Sequence, residues 1–180
     1  KDYYRIPDEG ILVGCYFGTG IGNAILINGR LLKGKDGAAG ELGHMKVWGS
    51  EEPCGCGNKG CLENLAGGKY LAKLCREQYS GTPIEQIFEK HGKEPLLQEF
   101  VKRMAIAVSS EINILNPDHV ILEGGVLAMK DFPVSYLTEK IYEYTRKPYP
   151  AASLSLIFSK EEKTKTVSGA ASYARRQISE

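Results

Sequence analysis

The stretch that decides the fold is Ile11-Leu-Val-Gly-Cys-Tyr-Phe17, Gly18-Thr19-Gly20-Ile21-Gly22, Asn23-Ala-Ile-Leu-Ile27, Asn28-Gly29 and Arg30-Leu-Leu-Lys33. Ile11 to Phe17 is short and mostly apolar, carries β-branched and aromatic residues, and is bounded by Gly10 and Gly18, which is the pattern of a buried strand. Gly18 to Gly22 is the turn out of it, and Asn23 to Ile27 is a second strand. Asn28-Gly29 favours a two-residue hairpin because both residues accept positive φ, and it leads into a third strand at Arg30 to Lys33. The domain is therefore expected to begin with a three-stranded antiparallel meander.

Outward from the meander, Gly34 to Gly43 is glycine-rich and irregular, and a cysteine cluster follows. Ala66 to Tyr79 has helical spacing at Tyr70, Leu71, Leu74 and Cys75. Pro83 to His91 fits a short helix opened by a Thr82 cap with proline in its first turn. Pro95 to Leu115 is a long helix with Leu97, Val101, Met104, Ala105, Val108 and Ile112 on one face, closed by Asn116-Pro117. His119 to Leu122 is a strand, Glu123-Gly124-Gly125 a tight turn, Tyr136 to Arg146 a helix, Leu154 to Phe158 a strand, and Val167 to Ile178 a final helix. A meander followed by alternating helices and strands indicates an α/β fold with a mixed sheet covered by helices.

The bulk properties fit one domain with a substantial core: 180 residues, 42% hydrophobic and 25% charged. A net charge of +1, with no block of one sign, argues against an electrostatic grip on nucleic acid or an anionic membrane. No apolar run approaches the roughly 20 residues that span a bilayer, and Lys1-Asp-Tyr-Tyr-Arg5 does not resemble a signal peptide. A soluble protein is expected. Of the five cysteines, Cys15 and Cys75 sit alone in apolar stretches as buried thiols. That pattern suits a reducing, cytoplasmic compartment rather than a disulfide framework.

The other three cysteines stand at Cys54-Gly-Cys56-Gly-Asn-Lys-Gly-Cys61, with His44 ten residues before the first. Thiolates and imidazole are zinc ligands, and a set of four with no open position makes a structural site. Glycines at 55, 57 and 60 let the loop fold back so that the sulfurs converge. Three unrelated thiols and a surface histidine are the plain alternative, which the density of the cluster disfavours. Gly18-Thr19-Gly20 lies at a turn between strands, where backbone N–H groups and a hydroxyl suit a nucleotide phosphate. It is neither a Walker A loop nor a dinucleotide fingerprint, and glycines in a hairpin serve a turn equally well. Glu41 and Glu63 flank the metal ligands. They are either solvated surface carboxylates or acceptors for sugar hydroxyls held in fixed directions by a metal-braced scaffold. Gly124-Gly125 follows a strand, a place where α/β folds receive ligands.

Taken in order, Gly18-Thr-Gly-Ile-Gly22, Gly40-Glu-Leu-Gly-His44, Cys54-Gly-Cys-Gly-Asn-Lys-Gly-Cys-Leu-Glu63, Ile121-Leu-Glu-Gly-Gly125 and Gly169-Ala-Ala171 resemble the ROK family, over about Gly10 to Ala174. Asp36 to His44 and Arg146-Lys-Pro-Tyr-Pro150 are most similar to allose kinases. The resemblance implies the actin-like, ribonuclease-H-like two-lobe fold and ATP-dependent phosphorylation of a hexose, with magnesium offsetting phosphate charge. It implies zinc on His44, Cys54, Cys56 and Cys61, and sugar hydroxyls on Glu41, Glu63 and the outer edge of His44. It places Gly18, Thr19 and Gly20 at the phosphates of ATP, Gly124 and Gly125 along the adenosine, and a homodimer as the assembly.

The family's first phosphate loop and the Asn-Asp pair that supplies its catalytic base do not occur in this sequence, and Asp2 does not fill that role. Residues 1–180 are thus expected to form one C-terminal lobe that is inactive by itself, with the helix near 165–180 packing back on an N-terminal lobe. A sugar-sensing repressor of the same family is the main rival reading, and a zinc-stabilised interaction module a more distant one. The absence of basic patches with interleaved aromatics counts against nucleic-acid binding by this region.

Overall fold

A computed structural model of the protein describes residues 6–159. The expected final helix, Val167 to Ile178, lies outside the described residues, as do Asp2 and Gly169-Ala-Ala171. Five strands form one sheet: β1 (Ile11–Phe17), β2 (Ile21–Ile27), β3 (Arg30–Leu31), β4 (His119–Glu123) and β5 (Leu156–Phe158), in the order β3-β2-β1-β4-β5.

β1 and β2 pair antiparallel from Ile11 opposite Ile27 to Phe17 opposite Ile21, and β3 adds through Leu26 opposite Leu31. Asn28 and Gly29 turn this hairpin with φ of 50° and 76°, as their residue types require. β4 and β5 then join in parallel on the other side of β1, with Leu12 opposite His119 and Val120 opposite Leu156. The sheet is mixed, and the meander stands as expected. The ladder runs further than the sequence suggests. β2 already begins at Ile21, so the first turn shortens to Gly18–Gly20, while β3 shrinks to two residues.

Helices cover one face. Val13, Cys15 and Phe17 of β1, Ile21 and Ile25 of β2, and Val120 and Leu122 of β4 pack into one core with α4 (Pro95–Leu115) and α5 (Val134–Tyr144). α4 contributes Leu97, Phe100, Val101, Met104, Val108 and Ile112 to it, and α5 Leu137 and Ile141. The opposite face carries a smaller cluster of Ile6, Leu12 and Ile121. α4 matches its expected span: Pro95 sits in the first turn, where its missing N–H costs nothing, and Asn116 ends the helix in the left-handed region.

Elsewhere the boundaries shift. The helix expected from Ala66 to Tyr79 starts two residues late and ends one early as α2 (Gly68–Gln78), and a short helix that was not expected, α1 (Glu63–Ala66), precedes it across an extended Gly67. Before His91 the chain makes a 3-10 turn, Ile84–Gln86, and then α3 (Ile87–His91). Thr82 is not its cap; the hydroxyl pairs with His91 Nε2 at 3.1 Å. α5 starts and ends two residues early, because Thr145 is already extended. No described helix is long and apolar enough to cross a membrane.

Candidate functional site

Three glycine turns meet at the carboxyl end of β1. The Gly18–Gly20 turn presents its carbonyls to α2: the N–H of Gly68 donates to Gly18 O at 2.8 Å and that of Lys69 to Thr19 O at 2.9 Å. Two donors that a helix start leaves unpaired are thereby satisfied. The contact needs glycine on the helix side, since a Cβ on Gly68 would lie 2.6 Å from Gly18 O. Thr19 is exposed at the tip. Gly124 closes in from β4 with φ of +123°, and a Cβ there would lie 2.4 Å from Phe17 O. β1 and β4 are parallel neighbours, so Gly18–Gly20 and Gly124-Gly125 stand side by side at their carboxyl ends, the position where open α/β sheets take ligands.

The segment Gly40 to His44 lies against the outer edge of β2. A Cβ on Gly43 would be 2.6 Å from Ile21 O, and one on Gly40 would be 2.7 Å from Asn23 Oδ1. These two bare positions let the chain hug the strand, while Leu42 is buried as its anchor. The 3-10 turn Leu42–His44 then aims Glu41 and His44 outward, with Glu41 exposed at the lip of a cleft of about 360 Å³.

The cysteine loop is a small knuckle. Lys46 bridges to Cys61 and Pro53 to Lys59, Cys54 N donates to Asn58 O at 2.8 Å, and Gly60 N to Glu52 O at 2.7 Å. Gly57 and Gly60 take φ of +93° and +71° to make the reversals. The ligand atoms of His44, Cys54, Cys56 and Cys61 all fall within 4.8 Å of one another. Cys56 Sγ is 3.6 Å from Cys61 Sγ, and Cys54 Sγ is 3.7 Å from His44 Nδ1. Zinc–sulfur bonds of about 2.3 Å in a tetrahedron put ligands about 3.8 Å apart, so the spacing fits that ion. Burial, with the neighbouring thiols Cys54 and Cys56, pushes the Cys61 thiol up to about 12, whereas the Asn58 backbone N–H lowers the exposed Cys56. A bound cation would displace the remaining protons, because only thiolates ligate.

Both carboxylates converge on His44. Glu41 Oε2 is 3.6 Å from His44 Nε2, and Glu63 Oε1 is 3.8 Å from His44 Nδ1. Glu63 Oε1 also accepts from Cys54 Sγ at 3.3 Å. Its other oxygen reaches the glycine turn: a Cβ on Gly20 would lie 2.4 Å from Glu63 Oε2. Glu63 therefore joins the cysteine knuckle to the Gly18–Gly20 turn. The residues singled out in the sequence do come together. Those not singled out are Gly67 and Gly68, which seat α2 on the turn, and Asn23, which backs Gly40. A glycine pair at a helix start was the one available sign of the first; a polar residue inside an apolar strand was the sign of the second.

The ROK family pattern matches residues 8–177. Glucokinase of Thermotoga maritima is 30% identical over 188 residues, covering 93% of this chain and 59% of that protein. N-acetyl-D-glucosamine kinase of Vibrio cholerae is 30% identical over 168 residues, covering 84% and 53%. Among solved structures, the ROK hexokinase of Thermus thermophilus superposes with a TM-score of 0.71 at 25% identity, over 86% of this chain and 53% of that one. A ROK family glucokinase of Streptomyces griseus, in complex with glucose and AMPPNP, gives 0.75 at 20% identity, over 92% and 61%. A ROK family transcriptional regulator, a homolog of the E. coli MLC protein, gives 0.69 at 26%, over 89% and 44%. The chain spans between about half and three fifths of the length of the kinases named here. It belongs to the ROK family, and its fold is the actin-like ATPase fold of that family's sugar kinases.

Proposed function

We propose that the polypeptide carrying this chain transfers the γ-phosphoryl group of ATP to a hydroxyl of a hexose. The observation that carries the reading is the double contact of Glu63, which meets His44 and Cys54 with one oxygen and Gly20 with the other. A kinase needs its acceptor sugar and its phosphate donor held in fixed relation, and most of its catalysis is that positioning.

In this reading Glu41 and Glu63 accept from sugar hydroxyls, and the Nε2 edge of His44 meets another hydroxyl. Gly18, Thr19 and Gly20 cradle the phosphates, and Gly124 and Gly125 flank the adenosine. His44, Cys54, Cys56 and Cys61 would hold a structural zinc, which supplies rigidity to the knuckle and no reaction chemistry. Magnesium accompanies ATP as part of the co-substrate. The base that takes the hydroxyl proton is assigned to an N-terminal lobe, outside this sequence.

The test is a coupled ADP-release assay on a polypeptide carrying this chain with such a lobe. Allose is tried first, then glucose, mannose, N-acetylmannosamine and N-acetylglucosamine. Glu41→Gln should raise the KM of the preferred sugar strongly and leave that of ATP nearly unchanged. A lost hydrogen bond to a charged partner costs roughly 2–4 kcal/mol. Unchanged sugar binding in that variant would make Glu41 a surface residue. The second reading, a sugar-sensing regulator of the family, is favoured by the likeness to the transcriptional regulator. It predicts hexose binding with no ADP release.

A further inference from the structure

Outside the residues assigned above, the core holds, among the described residues, one buried carboxylate that the proposed reaction does not use. Glu111 lies on α4 between Val108 and Ile112, and it is only 8% exposed. A buried carboxylate is costly unless bonded, and a cation is its usual partner. Here its Oε2 accepts instead from Asn23 Nδ2 at 2.8 Å and from Cys15 Sγ at 3.3 Å. Burial holds its carboxyl above the ordinary carboxylate range.

Asn23 connects this group to the site. Its Nδ2 also donates to Gly14 O at 3.0 Å, so both amide hydrogens face acceptors and Oδ1 is turned the other way. Oδ1 is buried and has no hydrogen-bond donor among the described residues. It abuts Gly40, where a Cβ would lie 2.7 Å from it and where φ is +81°. Glu41 is the next residue. β2 has ladder partners on this side only at Leu26 and Ile27, so contact rather than pairing holds the Gly40 segment beside Asn23. A buried acceptor without a donor calls for an account of why it is kept.

We propose that Glu111 and Asn23 are positioning residues for Glu41. α4 fixes the Asn23 carboxamide through Glu111, and the carboxamide sets how close Gly40 lies to β2 and so where Glu41 points over the cleft. This rests on the reading of Glu41 as a sugar-hydroxyl acceptor. The device runs from the middle of a core helix to the sheet edge, across 88 residues of sequence.

The experiment compares Glu111→Leu, Glu111→Gln, Asn23→Ser and Glu41→Gln in the full-length kinase, recording sugar KM, ATP KM and Tm. Glu111→Leu removes the acceptor and keeps the volume apolar. It should raise sugar KM by about tenfold while ATP KM stays within about twofold. Its Tm should fall modestly, because the buried Nδ2 of Asn23 loses an acceptor, so the split between the two KM values and not the Tm is the deciding readout. Glu111→Gln retains an acceptor and should hold sugar KM within about threefold of the parent. If Glu111→Leu does not fold, Asn23→Ser carries the same expectation for the two KM values. Parental sugar KM in both Glu111→Leu and Asn23→Ser, alongside a raised KM in Glu41→Gln, would show the pair to be structural only and overturn the proposal. Parental KM in Glu41→Gln would instead overturn the assignment of Glu41 on which it rests.

Discussion

Gly20 is where the Gly18–Gly20 turn and the Glu63 carboxylate meet. A methyl group placed there would lie 2.4 Å from Glu63 Oε2, nearer than any real contact, and nothing else lies so close. Glu63 is the end of a flexible side chain, so it would give way and leave its place beside His44 and Cys54. Gly20→Ala is therefore expected to raise the KM of the sugar as well as that of ATP, the former by about tenfold, or about 1.4 kcal/mol. Gly22→Ala is the control, since a Cβ there meets only ordinary contacts, 3.6 Å from Tyr16 Cβ. A Gly20→Ala protein with raised ATP KM and unaltered sugar KM would separate the two sites. Residue type made His44, the three cysteines and the Gly18–Gly20 turn legible in the sequence. That Gly20 must be glycine because of Glu63 was not legible, since it depends on a contact between segments 43 residues apart in the chain.

The cysteine knuckle is the element whose stability is most exposed to chemistry. It has no extended ladder, only the isolated bridges Lys46 to Cys61 and Pro53 to Lys59 and a few loop bonds. Cys54 Sγ meets His44 at 3.7 Å and Glu63 at 3.3 Å, so an ion binding His44, Cys54, Cys56 and Cys61 would contribute directly to the folding of this part of the chain. Elemental analysis of reduced, purified protein should find about one zinc per chain, and Cys61→Ser should lower both that ratio and the Tm. Metal-free protein with the parental Tm would overturn the assignment. Other elements were legible to differing degrees. α4 could be read in full, because its apolar spacing, Pro95 and Asn116-Pro117 all agree. The start of α2 at Gly68 could not, because it is set by a distant contact: the N–H of Gly68 reaches Gly18 O.

At the scale of the molecule, the sheet brings the glycine turns of β1 and β4 to one end and the Gly40–His44 segment along one edge; in the proposed function a second lobe completes the site. Phosphoryl transfer requires the acceptor hydroxyl, a base and the γ-phosphate together. Residues 1–180 alone, folded and zinc-loaded, are accordingly expected to give no sugar-dependent ADP release above background. Turnover by the isolated chain would mean that Glu41 or Glu63 acts as the base. By itself the sequence determined the meander, the long helix, the mixed α/β class and the grouping of three cysteines, because each is written in local spacing: period two, period 3.6, an Asn-Gly turn, cysteines within one loop. Only the tertiary structure decided that Glu63 joins the cysteine knuckle to the Gly18–Gly20 turn, that Gly40 and Gly43 lie on the edge of β2, and that Glu111 is buried against Asn23. Local spacing gives the face on which a side chain stands. What it meets there is set by chain folded back from far away, and close packing leaves that contact no freedom to be otherwise.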